Sequence, residues 1–274
     1  MRRSHLGALA GVALAALACS AAPRPEPSPA PAPVARVDRR STPLDGVRQL
    51  VVVTTPGWNA TRATLTRWER DEVTGPWRQV QLAEPAVVGS AGLAWADDSL
   101  VGPDPAPVKR EGDGRSPAGA FPLDTIFGFR AADSIASPGL PYVALNPGSE
   151  CVDDPASRHY NTIVDRTRVS AVDWNSSEHM RAIQQYQLGV TVGYNAAPPR
   201  AGRGSCIFLH IWAGPESVTA GCTAMPASTI SVIAQWLRRD RRPTLVQLTA
   251  RDFGRLRHVW ALPPAEDPPL TPRS

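Results

Sequence analysis

Proline and glycine interrupt this chain so often that little room is left for long helices. They account for 29 and 21 of its 274 residues, and both disfavour a helix interior, proline because it lacks an N–H and glycine because it is flexible. Between them stand short runs rich in β-branched residues, bounded by turn signals such as Pro56-Gly57 and Gly89-Ser90. The runs predict strands at residues 49–55, 63–68, 77–82, 86–88, 190–192, 206–210 and 244–248. We therefore expect a mainly β protein whose N-terminal half is antiparallel sheet.

Two stretches have the spacing of an amphipathic helix, residues 178–188 and 227–239. In the second stretch Ile230, Ile233 and Leu237 recur on one face, at the intervals expected of a helix that packs against a core. Both stretches are short. The sequence thus predicts a β fold with a few short helices.

The first 18 residues are typical of an export signal and not of a folded body. Arg2 and Arg3 provide a positive start, and residues 6–18 form an apolar run that is too short to span a bilayer. Cys19 follows small residues, as in the lipobox of bacterial lipoproteins, although the same residues would suit a peptidase that releases soluble proteins. We expect an exported protein of the periplasm or cell envelope, anchored to a membrane through lipid on Cys19.

The rest of the chain divides by composition into a tether, a body and a tail. Residues 19–46 are rich in proline and alanine and predict an extended tether, whereas residues 264–274 predict a disordered tail. The body at 47–263 is long enough for one large domain or two small ones. The net charge of +4 comes from dispersed arginines, with Lys109 as the single lysine. Because no basic cluster with interleaved aromatics is present, no nucleic-acid partner is expected.

The stretch most informative about chemistry is residues 205–225, SCIFLHIWAGPESVTAGCTAM. An apolar strand ends at His210, a loop containing glycine and proline follows, and Gly221-Cys222 closes it. A cysteine nucleophile needs a base within hydrogen-bond reach and a turn that presents its sulfur beside free N–H groups. A buried cysteine near a structural histidine would give the same pattern, and on spacing alone that is the simpler interpretation.

Two separated motifs resemble those of the YkuD-type L,D-transpeptidases. His210, Thr219, Gly221 and Cys222 match the His and Ser/Thr-x-Gly-Cys residues of that family's catalytic segment. Upstream, residues 109–123 (KREGDGRSPAGAFPL) are similar to the family's KxEGDGxTPxGxF stretch. The order of the two motifs favours Cys222 as nucleophile and His210 as base over two structural residues.

The chain departs from the commonest pattern of that family near the cysteine. Ala224 stands where many members carry an arginine, and Ala220 stands where many carry a residue such as histidine. The missing arginine removes an expected contact to a donor carboxylate or carbonyl. Residues 153–161 (DDPASRHYN) and the segment TAGCTAM resemble a divergent branch of the family.

The resemblance implies a mixed or antiparallel β-sheet sandwich that acts on peptidoglycan stem peptides. Cys222 would attack the carbonyl of the diamino acid at stem position three and expel D-alanine, and an acceptor amine would then take the acyl group from the thioester. His210 would remove the thiol proton or pair with the thiolate. N–H groups at Gly221, Cys222 or Thr223 would stabilise the oxyanion. No metal or organic cofactor is needed for this chemistry.

Neighbouring residues carry weaker signals for the same site. Trp212 lies two residues beyond His210 and is expected to line the peptide groove, with plain packing as the alternative. Thr219 and a loop carbonyl near Gly214 are candidates for orienting His210.

Two further groups of polar residues are assigned structural roles. Glu178-His179 could be a second acid–base pair, but a charged first helical turn is the simpler interpretation. Asp153 and Asp154 lie near Cys151 and His159 without the spacing typical of metal ligands, so no metal site is expected.

Two other functions are compatible with the motifs. A cell-wall peptidase or amidase would use the same Cys222 and His210 with water in place of the acceptor amine. A catalytically silent peptidoglycan-binding lipoprotein is a different class of protein, and the intact Cys–His pair argues against it.

The cysteine count predicts one disulfide. If Cys19 is lipidated, Cys151, Cys206 and Cys222 remain, and a nucleophilic Cys222 must stay reduced in an oxidising compartment. We predict a Cys151–Cys206 bridge that closes a 55-residue loop beside the active site. Two independent buried thiols are the alternative.

Overall fold

A computed structural model of the chain describes residues 42–97, 105–131 and 139–264. The predicted signal peptide, Cys19 and most of the predicted tether lie outside these ranges, as do the last ten residues of the predicted tail. Within the described ranges, no helix has the length and apolar character needed to cross a membrane.

The folded body begins earlier than the composition predicts. Leu44 lies in the range predicted as tether, yet its side chain is buried in the core. Arg70 holds this segment in place, because its guanidinium donates to the carbonyl oxygens of Leu44 at 3.2 Å and Val47 at 2.8 Å. The folded body therefore begins before residue 47, where its boundary was predicted.

The described residues form thirteen strands and two short α-helices, which confirms a mainly β protein. The strands are β1 (Gln49–Thr55), β2 (Arg62–Glu69), β3 (Arg78–Val87), β4 (Leu93–Trp95), β5 (Ser116–Gly128), β6 (Tyr142–Ala144), β7 (Ser149–Val152), β8 (Ile163–Asp165), β9 (Ser177–His179), β10 (Leu188–Val192), β11 (Phe208–Ile211), β12 (Thr223–Met225) and β13 (Thr244–Thr249). The helices are α1 (Ala227–Trp236) and α2 (Ala250–Leu256).

Eight of the strands pair into a closed ring. Its order is β10-β11-β12-β3-β2-β1-β13-β5, and β5 pairs with β10 to complete it. The pairs β1–β2 and β2–β3 are antiparallel as predicted, whereas β1–β13 and β11–β12 are parallel, so the sheet is mixed. The long strand β5 makes closure possible, because its first half pairs with β13 and its second half with β10.

Strand β3 replaces the two separate strands predicted at 77–82 and 86–88. Pro85 lies inside it, opposite Thr64 of β2, and the pairing with β2 contains two irregularities. Proline is tolerated because β3 meets its other neighbour, β12, only at Val87, which leaves most of that edge unpaired.

The helix predicted at 178–188 is wrong. The segment begins in strand β9 and continues as two 3-10 turns, Met180–Ala182 and Gln184–Gln187. Met180, Ile183 and Tyr186 pack into one hydrophobic cluster. An interval of three residues places side chains on one face of a 3-10 turn, whereas six residues of α-helix rotate by about 240° and would separate Met180 from Tyr186.

The second predicted helix is confirmed with an earlier end. Helix α1 buries Ile230, Ile233 and Ala234 and stops at Trp236. Gln49 of β1 caps this end, since its side chain donates to the Trp236 carbonyl at 2.9 Å and accepts from the Arg238 N–H at 2.8 Å.

A disulfide joins a second, three-stranded sheet to the ring. Strands β8, β7 and β9 form this sheet, and Cys151 lies in β7. Cys151 is bonded to Cys206, with Cα atoms 6.0 Å apart, and Cys206 stands just before β11. The predicted bridge is confirmed, and of the described cysteines Cys222 alone is free.

Candidate active site

Cys222 and His210 face the same side of two adjacent strands. Strand β11 pairs with β12 in parallel, with His210 opposite Ala224. Side chains two residues apart on a strand point to the same face, so Cys222, which directly precedes β12, projects on the side of His210. The two predicted catalytic residues are therefore brought together by strand register.

Both residues line a small open cavity of about 170 Å³. The predicted residues Trp212 and Thr219 line it too, as do Tyr186 and Glu178. Ala224 and Ala220, where the sequence differs from many of the YkuD-type sequences that it resembles, also belong to the wall. Sequence patterns identified four of these residues as site residues, assigned Glu178 a structural role and missed Tyr186.

His210 is oriented by its own strand. Its Nδ1 lies 2.7 Å from the carbonyl oxygen of Ile211, so Nδ1 carries the proton and donates it, which leaves Nε2 as the acceptor nitrogen. Neither Thr219 nor the carbonyl of Gly214 makes this contact: Thr219 bonds within its own turn and Gly214 O accepts from Ser217. The orienting group is thus a main-chain carbonyl.

The surroundings of Cys222 and His210 favour the neutral thiol and the neutral imidazole. Burial raises the pKa of Cys222 well above its ordinary value, and the negative charge of Glu178 acts in the same direction. Burial also lowers the pKa of His210. The thiol can donate to the Cys206 carbonyl at 3.4 Å, and its sulfur accepts from the Phe208 N–H at 3.3 Å. A resting thiolate–imidazolium pair is therefore disfavoured, and the proton must leave as the sulfur attacks.

The turn before Cys222 is fixed by two hydroxyl groups. Thr219 Oγ1 donates to the Cys222 carbonyl at 2.6 Å and accepts from the Gly221 N–H at 3.1 Å. Ser116 Oγ donates to the same carbonyl at 2.8 Å and accepts from the Gly89 N–H. Ser116 comes from the upstream motif, so the two motifs that are far apart in the chain meet at the main chain of Cys222.

The residues predicted to stabilise the oxyanion differ in the hydrogen bonds that they already make. The Gly221 N–H is already bonded within the turn. The Thr223 side chain is buried, and its hydroxyl donates to Gln247 Oε1 at 2.6 Å. This hydroxyl therefore has a partner within the core. A Cβ on Gly221 would lie 3.1 Å from the Arg115 carbonyl oxygen, which explains why a residue without a side chain precedes the nucleophile.

An aromatic cluster supports the floor of the cavity. The rings of Phe127, Tyr186 and Phe208 pack edge to face with centroids 5.0 to 5.7 Å apart, and Tyr186 also packs against the His210 ring at 5.3 Å. Gly189 lies opposite His210 in β10, where a Cβ would come within 2.3 Å of the Phe127 ring. Tyr186 is thereby held beside both His210 and Cys222.

Glu178 enters the site from the three-stranded sheet. Its Oε2 accepts from the Tyr186 hydroxyl at 2.6 Å. Burial raises the pKa of Glu178 to about 7, against the lowering effect of this hydrogen bond, and the charges of Asp153 and Glu111 act with burial. Its main chain pairs with Cys151, so the disulfide fixes its approach to β11. The interpretation of Glu178 as a charged helical turn is wrong.

Residues 153–161 anchor the loop that carries Cys206. Asn161 Oδ1 accepts from the Cys206 N–H at 2.8 Å, and the Tyr160 hydroxyl donates to Glu111 of the upstream motif at 2.5 Å. Asp154 accepts from N–H groups of Asn175 and Ala156, which lower its pKa. These side chains position the main chain beside the nucleophile.

His179 and Glu150 lie apart from the nucleophile. His179 is exposed and its Nδ1 is 3.3 Å from Glu150, which is buried. Burial alone would raise the pKa of Glu150, but hydrogen bonds from Trp174, Ser177 and Arg166 lower it overall. Within the described ranges, no group of three metal-ligating side chains comes together.

No model of a known protein family, no curated protein and no solved structure matches this chain.

Ser116→Ala tests the link between the two motifs. The variant leaves the Cys222 carbonyl with one donor fewer and the buried Gly89 N–H without its acceptor, so we expect a loss of about 1 to 3 kcal/mol in the free energy of unfolding. Urea denaturation measures it, with Ser228→Ala on the exposed surface of α1 as the matched control. Equal stability of the two variants would contradict a structural role for this hydroxyl.

Proposed function

We propose that this protein is a cysteine acyltransferase of the cell wall, an L,D-transpeptidase that acts on peptidoglycan stem peptides. The observation that carries the proposal is the shared face of Cys222 and His210, with Nδ1 of His210 occupied by the Ile211 carbonyl. This arrangement leaves Nε2 as the group that can accept a proton in the cavity that Cys222 lines. The motifs that resemble YkuD-type enzymes supply the substrate class.

The reaction would proceed in two half-reactions. Cys222 attacks the carbonyl of the diamino acid at stem position three while His210 takes the thiol proton, and the same proton protonates the departing D-alanine amine. An acceptor amine then attacks the thioester and releases Cys222. Trp212 provides an apolar wall against which a peptide can lie. The chemistry requires no cofactor.

The proposed fold type is the mixed sheet of that enzyme family, and the proposed location is the periplasm or cell envelope. Lipid on Cys19 and the proline-rich tether at 19–46 would let a membrane-anchored catalytic body reach the polymer. The confirmed disulfide is compatible with an oxidising compartment.

A hydrolase is the second candidate, because the cavity is open and the acyl-enzyme could be released by water. Incubation with a disaccharide-tetrapeptide followed by mass spectrometry separates the two. Cross-linked products with loss of D-alanine are expected of a transpeptidase, whereas shortened stems alone would identify a peptidase or amidase. Absence of both products and of a Cys222 adduct with a carbapenem would favour a peptidoglycan-binding lipoprotein.

A further inference from the structure

The charge of the active-site cavity is set by few side chains. Among the described residues, Glu178 is the one carboxylate in its wall, and no lysine or arginine lines it. Ala224 takes the position where many of the YkuD-type sequences that this chain resembles carry an arginine. The described wall beside the nucleophile therefore attracts a cation and disfavours an anion.

The carboxylate also stands close to the reacting sulfur. The Tyr186 hydroxyl lies 2.6 Å from Glu178 Oε2, and the same hydroxyl interacts with the Cys222 sulfur. One hydroxyl group thus separates the carboxylate from the nucleophile. A primary amine hydrogen-bonded to Glu178 could reach the carbonyl carbon of an acyl group on Cys222, since reacting atoms need to approach to about 3 to 3.5 Å.

We propose that Glu178 binds the acceptor amine and acts as the base that activates it for attack on the Cys222 thioester. This inference rests on the proposed function and assigns a second acid–base residue to the acyl-transfer half-reaction. Glu178 would hold the ammonium group and take one proton from it. The free amine then forms the C–N bond as the C–S bond breaks. The second proton of the nitrogen passes through His210 to the departing Cys222 thiolate, so that amide, neutral thiol and protonated Glu178 result.

The titration of Glu178 suits this role. Its pKa of about 7 reflects burial together with the charges of Asp153 and Glu111, opposed by the Tyr186 hydrogen bond. Tyr186, His210 and Cys222 are the other titratable groups of the described cavity wall, and in the acyl-enzyme Cys222 carries no charge. A base with this pKa is ionised in a substantial fraction of molecules near neutral pH and is still basic enough to take a proton.

The two half-reactions can be measured separately with Glu178→Gln. The acyl-enzyme is formed with a carbapenem or tetrapeptide, and its decay is followed against the concentration of Nα-acetyl-lysine, which offers one primary amine. We expect the acylation rate to stay within about 3-fold of the parent and the amine-dependent rate to fall by about 10² or more. Hydroxylamine, mostly uncharged near pH 7, should release the acyl group from both proteins at similar rates.

A matched charge variant and the pH profile distinguish a base at Glu178 from a general effect of negative charge near the cavity. Glu216→Gln removes an equal charge from the exposed loop beside the cavity and should leave the amine dependence unchanged. In the parent the amine-dependent rate should rise with pH through about 7, and this step should be missing in Glu178→Gln. Glu178→Asp should restore part of the rate.

Two results would overturn the inference while leaving the proposed function intact. One is a parent acyl-enzyme whose amine dependence is the same in Glu178→Gln. The other is a Tyr186→Phe variant that reproduces the whole loss, because Glu178 would then act only by positioning Tyr186. A parent that forms no acyl-enzyme would overturn the proposed function and this inference together.

Discussion

Cys222→Ala is expected to abolish acyl-enzyme formation, and His210→Asn is expected to slow it by about 10³-fold or more. The sulfur is the atom that forms the thioester, so alanine offers no substitute. Asparagine can still donate to the Ile211 carbonyl from the position of Nδ1, but it has no nitrogen in the place of Nε2. The second variant therefore removes the base while it keeps the hydrogen bond that orients the residue.

A neutral resting thiol increases the expected effect of replacing His210. Because burial raises the pKa of Cys222 and lowers that of His210, very little thiolate exists before substrate binds. The thiol proton must then be removed during attack, and loss of the acceptor nitrogen cannot be offset by a pre-formed thiolate.

Intact-protein mass spectrometry after incubation with a tetrapeptide or a carbapenem measures the adduct directly. His258→Asn, an exposed histidine in the turn after α2, is the matched control and should form the adduct at the parent rate. Thermal unfolding of all variants should agree within a few degrees, since each substitution removes few atoms. Near-parental acylation by His210→Asn would exclude His210 as the base.

Runs of β-branched residues between turn signals predicted β1, β2, β3, β10, β11 and β13 from local sequence. They did not predict β4 to β9, β12 or the closure of the ring. Strand β1 was predicted with its observed ends, since a run of valines between turn signals has few alternatives. The parallel pairing of β1 with β13 joins residues almost 200 positions apart. No local pattern specifies such a pair, because it depends on which surfaces remain to be covered once each element has formed.

The residues of the active site were likewise predictable only in part. Cys222, His210, Trp212 and Thr219 belong to one short segment, whose strand and turn signals can be read from the sequence. Glu178 comes from a separate sheet. The segment after it has apolar residues at intervals of three, and this spacing is compatible with an α-helical turn and with a 3-10 turn. The orienting partner of His210 is a main-chain carbonyl, which has no signature in the sequence.

Replacing both Cys151 and Cys206 by serine is expected to destabilise the protein by about 4 kcal/mol or somewhat less. The bridge closes a loop of 55 residues, and opening it gives the unfolded chain the conformational freedom that the cross-link removes. The paired substitution avoids leaving a lone thiol near Cys222. Urea denaturation of oxidised parent and variant measures the difference in the free energy of unfolding.

The same variant should lose acyl transfer before it loses its fold. Glu178 pairs with Cys151, and the Cys206 carbonyl lies 3.4 Å from the Cys222 sulfur, so the bridge holds both sides of the cavity together. With the bridge absent, the three-stranded sheet is held against β11 by non-covalent contacts and by the connecting main chain. We then expect amine-dependent release of the acyl group to fall more than acylation at a urea concentration where the ring is still folded. Cys19 should be absent from the protein used, so that no other thiol exchanges with Cys222. Equal stability and equal rates for parent and variant would show that the packing of Tyr186, Met180 and Ile183 is sufficient to hold Glu178 in place.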